Sequence, residues 1–205
     1  MVKEESVRDR DFERFLTFVD AVVAIAITLL VLPLVDVAGE VTSHSDVGQV
    51  LSDHSAQFLA FAISFVVISR LWFAQHRVLK PVVSASHGVS VLIMLWLATI
   101  VVLPFSTALI AQVGHVALAQ ILYLGTMALG SGFLAGVSVI VARHHSLRDG
   151  PATDPAYSVV VPVFFVVALA LALVLPSLSY WPLLLLYGAD PLAGAWRRWR
   201  GPLPD

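Results

Sequence analysis

Few ionisable side chains fall within the long apolar segments of this sequence, so each is a candidate for chemistry. Asp20 lies inside the first apolar segment, shortly after Arg14, and His76 lies near the end of the second. A carboxylate in such a setting can relay a proton, attract a cation or pair with a basic neighbour. Paired with Arg14, His76 or the indole of Trp72, Asp20 would brace its own helix, and we favour this structural role.

The other polar residues form no pattern typical of an enzyme. The sequence has no cysteine, which excludes disulfides, thiolate metal sites and cysteine catalysis. His144 and His145 are adjacent, so on a helix their side chains would point about 100° apart and would not share a metal ion. The sequence also lacks a nucleophile motif, a phosphate-binding glycine loop and paired carboxylates. We therefore expect no enzymatic activity, no metal site and no cofactor.

The composition indicates an all-α integral membrane protein. Hydrophobic residues make up 59% of the chain and charged residues 13%, and the mean hydropathy is +0.89. A helix that crosses a bilayer needs about 20 mostly apolar residues. One six-helix domain over residues 1–205 is expected, with spans at 15–37, 58–78, 89–111, 116–142, 157–175 and 181–196. The net charge of -2 argues against a nucleic-acid partner.

The positions of the basic residues predict the topology. All twelve Lys and Arg residues lie before the first run, at the end of the second, or after the fourth and sixth. The connections 36–57, 112–115 and 176–180 contain none. The positive-inside rule then gives six spans in the cell membrane with both termini cytoplasmic. The N-terminus carries mixed charge and is not typical of a secretory signal peptide.

The first apolar run contains a recognisable motif, Arg14-x-x-x-Phe18-x-Asp20, followed by Ala-Ile-Ala-Ile-Thr-Leu-Leu-Val-Leu at 24–32. This motif resembles the first helix of the prokaryotic transmembrane protein 175 family of potassium channels. The resemblance extends to Trp-Phe-Ala-Gln-His-Arg at 72–77 and to Leu-Pro-Phe-Ser-Thr-Ala-Leu at 103–109. Two positions depart from the family pattern: Val19 replaces a serine, and Gln75 stands where a second histidine is common.

The resemblance implies a homotetramer that conducts potassium through a central pore lined by the first helices. Its narrowest part would be rings of aliphatic side chains, which fall on Ile25, Leu29 and Leu32. Thr28 would add a hydroxyl beside this constriction, and Asp36 would lie at the outer mouth. The remaining motif residues are assigned to a structural polar network: Arg14, Phe18, Asp20, Trp72 and His76.

Helical geometry is consistent with two different faces on the first helix. Ile25, Leu29 and Leu32 lie within about 60° of one another, and the same face extends to Phe18 and Asp36. Asp20 lies about 140° from Ile25 and should point into its own subunit. An apolar constriction can block ions by dewetting until it widens, and acidic residues at the mouth would concentrate cations.

Other interpretations remain open. Aliphatic residues such as Ile25 and Leu29 most often pack against lipid or other helices, and a threonine such as Thr28 most often bonds to the preceding turn. The alternative function is a secondary transporter or proton-coupled carrier that uses Asp20 and His76. The sequence shows no inverted repeat, although Pro33, Pro104 and Pro162 permit kinks. A third possibility is a non-conducting structural protein.

Overall fold

The computed structural model describes residues 10–41, 46–84, 86–114, 116–150 and 155–174, with side chains from residue 160 onward in the last range. The helices in these ranges are α1 (Arg10–Leu29), α2 (Leu32–Gly39), α3 (Val47–Asp53), α4 (Ser55–Leu79), α5 (His87–Val113), α6 (Ala117–Arg143) and α7 (Pro155–Val174). The regular structure in these ranges is otherwise one 3₁₀ turn, His145–Leu147, and one isolated β-bridge. The helical fold class is therefore confirmed.

Four segments are long and apolar enough to cross a membrane: Arg10–Gly39, Ser55–Leu79, His87–Val113 and Ala117–Arg143. They overlap the first four predicted runs. A shorter apolar helix, Val160–Val174, falls in the fifth run, and the sixth run lies outside the described residues. The chain is thus a multi-pass helical membrane protein, and a count of six spans stays a prediction.

The first span is broken near its C-terminal end. Its helix α1 ends at Leu29, and α2 begins at Leu32 with Pro33 in its first turn. Proline has no N–H to donate and its ring clashes with the carbonyl four residues earlier, which favours a break in the regular pattern before Pro33. The backbone N–H groups of Leu30 and Val31 instead donate to carbonyl oxygens three residues earlier, those of Ile27 (3.3 Å) and Thr28 (3.2 Å). Leu32 therefore belongs to α2, and the face predicted from one continuous helix is interrupted before it reaches Asp36.

The core forms where α5 packs against α6, with α4, α1 and α7 around them. Close approach is possible because glycines of α6 face α5. A methyl group at Gly130 would lie 2.6 Å from Thr99 Oγ1, and one at Gly136 would lie 3.2 Å from Leu92 Cδ1. In membranes, where lipid is as apolar as leucine, such close packing is a principal source of helix association.

Two turns at the same end of the bundle are joined by backbone hydrogen bonds. Val83 N–H donates to Leu147 O at 3.0 Å, and Asp149 N–H donates to Pro81 O at 2.8 Å. These bonds connect the turn after α4 to the turn after α6. The basic residues Lys80, Arg143 and Arg148 lie at this end of the bundle.

Candidate functional site: the exposed face of the first span and its polar anchor

One face of α1 is buried and the opposite face is exposed. Val19, Val23 and Ala26 pack into the core of the protein. The aliphatic stripe predicted from the sequence is on the other side: Ile25 is 58% exposed, Leu29 41% and Leu32 53%. Phe18 is also exposed. The stripe is therefore available to lipid or to another copy of the chain.

The Thr28 hydroxyl is exposed and donates to the Ile25 carbonyl oxygen at 2.8 Å. Its proton is therefore used within the helix, as is common for threonine in a membrane helix. The lone pairs of the hydroxyl oxygen still face outward and can accept a hydrogen bond or contact a cation.

Asp20 is tied to α4 by two aromatic side chains. Trp72 Nε1 donates to Asp20 Oδ1 at 3.0 Å, and His76 Nε2 lies 3.7 Å from Asp20 Oδ2. The rings of Trp72 and His76 are themselves in contact, with centroids 4.3 Å apart. Because Trp72 and His76 are one helical turn apart on α4, one carboxylate can meet both. The arrangement holds α1 at a fixed rotation against α4.

The structure does not bring every predicted member into this network. Arg14 is exposed, and no hydrogen bond or ion pair joins it to Asp20 in the described ranges. Phe18 lies on the exposed side of α1 with the aliphatic stripe. The three residues brought together are Asp20, Trp72 and His76, and their functional roles stay predictions.

The two departures from the family motif both lie in buried positions. Val19 is fully buried and belongs to the apolar core. Gln75 is also buried, and its Oε1 has no hydrogen-bond donor in the described structure. Neither side chain joins the Asp20 network. A buried amide oxygen without a donor is costly, so Gln75 marks an incomplete site next to the anchor.

Acidic residues between α1 and α4 make local contacts. Asp36 is exposed on α2. Glu40, after the end of α2, lies 3.3 Å from His54 Nε2 at the start of α4, while His54 Nδ1 lies 3.0 Å from Val50 O. Both ring nitrogens thus face acceptors, and the imidazolium form donates to both. Asp46 caps α3 by accepting from Gly48 N–H at 2.8 Å.

The structure contains a buried cluster of hydroxyl groups that the sequence did not predict. Ser64 Oγ lies 2.7 Å from Tyr123 OH and 2.8 Å from Thr107 Oγ1, and Thr107 Oγ1 also lies 2.7 Å from the Leu103 carbonyl oxygen. The three side chains join α4, α5 and α6 inside the apolar core. No local spacing indicates this contact, because each residue lies on a different helix.

Taken with the spans, this geometry defines a multi-pass helical membrane protein whose first helix carries an exposed aliphatic face and a polar anchor. No group of three His, Cys, Asp or Glu side chains suited to a metal ion occurs in the residues that the structure describes.

Two comparisons then identify its relatives. The family model described as "Endosomal/lysosomal potassium channel TMEM175" matches residues 14–104. A crystal structure described as a lysosomal potassium-selective channel TMEM175 homolog from Chamaesiphon minutus superimposes with a TM-score of 0.72 at 25% sequence identity. The match covers 90% of this chain and 99% of that one. No curated protein matched the chain. The resemblance to the transmembrane protein 175 family is therefore confirmed.

Proposed function

We propose that the protein is a potassium-conducting cation channel of the cell membrane, with both termini cytoplasmic. Support comes from the family match over residues 14–104 and from the similarity to a potassium-selective channel over nearly its whole length. The observation that carries the proposal is the exposed aliphatic stripe on α1 and α2, opposite a face that is packed and anchored.

The proposal requires several copies of the chain. A single helix cannot enclose a pore, whereas closed cyclic assembly brings equivalent helices around one axis. The family resemblance implies a tetramer, so four copies of α1 would contribute Ile25 and Leu29 to the axis, and α2 would add Leu32. The anchor at Asp20 holds α1 at the rotation that turns this stripe outward from its own subunit.

The stripe acts as a hydrophobic constriction in this proposal. Rings of aliphatic side chains too narrow for stable water exclude ions by dewetting, and a small widening permits conduction. Thr28 offers its outward lone pairs to a partly dehydrated cation at this level. Four copies of Asp36 near the outer mouth raise the local concentration of cations and repel anions.

The decisive experiment is single-channel recording from purified protein in planar bilayers under a potassium gradient. Unitary steps that reverse near the potassium equilibrium potential support the channel. Slow, saturable flux without unitary steps would contradict it and favour the carrier that uses Asp20 and His76. If neither unitary steps nor saturable flux is seen, the protein is better explained as a non-conducting structural protein.

The constriction is tested by Ile25→Asn, which should increase conductance or open probability because a polar ring retains water. Leu129→Asn on α6 is the matched control, since Leu129 is 59% exposed and Ile25 58%. It introduces the same polar group off the proposed axis and should leave conductance unchanged. Equal effects of the two substitutions, with the oligomer intact, would rule out the assigned pore face.

A further inference from the structure

A cleft of about 580 Å³ lies between the first half of α1 and the last turns of α4. This volume falls within the usual range for small-molecule sites, about 300–1,000 Å³. Both signs of charge line the cleft, with Glu13 and Asp20 from α1 and Arg77 and Lys80 from α4. The buried side chain of Gln75 also lines it.

Gln75 provides an unsatisfied polar group at this cleft. The residue is 2% exposed, and its amide oxygen has no donor among the residues that the structure describes. A half-turn about the last side-chain torsion exchanges the positions of the amide oxygen and nitrogen. Gln75 lines the cleft, so the rotamer whose amide oxygen points toward the cleft offers an acceptor there. A ligand with an N–H donor would then satisfy it.

The charges indicate what kind of donor fits. Glu13 is exposed, and Asp20 keeps one carboxylate oxygen 3.7 Å from His76 Nε2 while the other accepts from Trp72. Both carboxylates favour a cation beside Gln75. Arg77 and Lys80 already interact within the protein, so they add positive potential at the cleft rather than free donors. The cleft therefore suits a ligand with a cationic amine and an anionic group a few bonds away.

The position of the cleft indicates where such a ligand comes from. Arg14 lies near the start of the first span, and Lys80 directly follows α4, so basic residues mark this end as a membrane boundary. On α1, the face with Glu13 and Asp20 is about 150° from the face with Ile25 and Leu29. The cleft is thus at the depth of lipid headgroups and away from the proposed pore.

We propose that this cleft binds a phosphoethanolamine group, supplied by a phosphatidylethanolamine lipid. The ammonium would donate to Gln75 Oε1 and to the carboxylates of Glu13 and Asp20, with the phosphate beside Arg77 and Lys80. A choline headgroup has the same charges but no N–H donor, so the cleft discriminates between the two. The proposal does not depend on whether the chain conducts ions.

The test uses the purified full-length chain in detergent, with binding measured by native mass spectrometry. The probes are short-chain phosphatidylethanolamine, the matched phosphatidylcholine and free O-phosphoethanolamine. We expect the ethanolamine lipid to bind at least about tenfold more tightly than the choline lipid, as one or more charge-assisted hydrogen bonds allow. Binding of the free headgroup as well would support the same chemistry. Binding of the free headgroup without the lipid, or equal binding of the two lipids, would overturn the lipid assignment.

Two variants test the residues. Gln75→Leu should reduce the preference for ethanolamine severalfold, because leucine has a similar size but no acceptor, while the carboxylates of Glu13 and Asp20 remain. Glu13→Gln, at an exposed position, should weaken binding severalfold. Ser138→Ala is the matched control, since Ser138 Oγ is also buried without a partner in the described ranges but lies on α6. An unchanged preference in both Gln75→Leu and Glu13→Gln would exclude this site.

Discussion

Individual residues on α1 have different surroundings because the helical repeat places them on different faces. Asp20 contacts Trp72 and His76 of α4, whereas Ile25 and Leu29 remain exposed on the other side. A carboxylate within a membrane span is costly unless it has partners. The partners of Asp20 therefore explain why it can be kept beside an apolar core, and they argue for a bracing role.

Replacing Asp20 by alanine should reduce stability and assembly rather than change ion preference. Asp20→Ala leaves the Trp72 indole without its acceptor and removes the link between α1 and α4, at a cost of about 1–3 kcal/mol. Thermal unfolding and size-exclusion chromatography in detergent measure both effects, with Asp53→Ala, an exposed carboxylate on α3, as the control. Normal assembly with specifically altered permeation would contradict bracing.

Asp36 should affect conduction through its charge alone. Asp36→Asn is expected to lower single-channel potassium conductance at about 0.01 M salt, where the Debye length is about 30 Å, and to have little effect at 1 M. The same measurement on Asp53→Asn shows whether any acidic residue between α1 and α4 lowers conductance in this way. A loss that is independent of salt would mean that Asp36 acts structurally.

Helices in this protein are held together partly by polar contacts in the core. The cluster of Ser64, Thr107 and Tyr123 joins α4, α5 and α6, and glycines of α6 let α5 approach. Such hydrogen bonds contribute modestly in membranes, about 0.6 kcal/mol on average, because the separated helices also find partners. Their main effect is to define which faces meet.

Ser64→Ala should lower the free energy of unfolding by about 1 kcal/mol, since it breaks the contacts to Tyr123 and Thr107. Ser138→Ala makes the same change at another buried hydroxyl, which has no partner in the described part of the chain, and should be neutral or slightly stabilising. Reversible unfolding in mixed detergent measures both. Equal losses in the two variants would show that the cluster adds nothing beyond side-chain packing.

The whole molecule is proposed to work as an assembly, because the stripe is exposed among the residues that the structure describes. The absence of cysteine makes this directly testable, since an introduced thiol is the only one in each chain. A disulfide requires Cα atoms within about 7 Å, a condition that a narrow symmetric constriction can meet.

Leu29→Cys should form disulfide-linked dimers on mild oxidation in membranes, seen as a doubled mass on non-reducing gels. Leu129→Cys, on the exposed side of α6, should stay monomeric under the same conditions. The reverse pattern would place α6, and not α1, at the symmetry axis.

Local patterns determine a large part of this protein. Hydropathy alone places the first four spans, since an apolar run of this length has few other stable environments. Periodicity alone separates Ile25 from Asp20 on α1, because the helical repeat is the same in any context. These features do not depend on what each helix packs against, and they could be predicted from the sequence.

The contacts between helices could be resolved only by the tertiary structure. The sequence offered Arg14, His76 and Trp72 as partners for Asp20, and packing of α1 on α4 selected Trp72 and His76. It did not indicate that Ser64 would meet Tyr123, because a hydroxyl in a membrane helix is usually satisfied by its own backbone. The burial of Gln75 and the adjoining cleft likewise depend on how two helices separated in sequence are rotated and spaced.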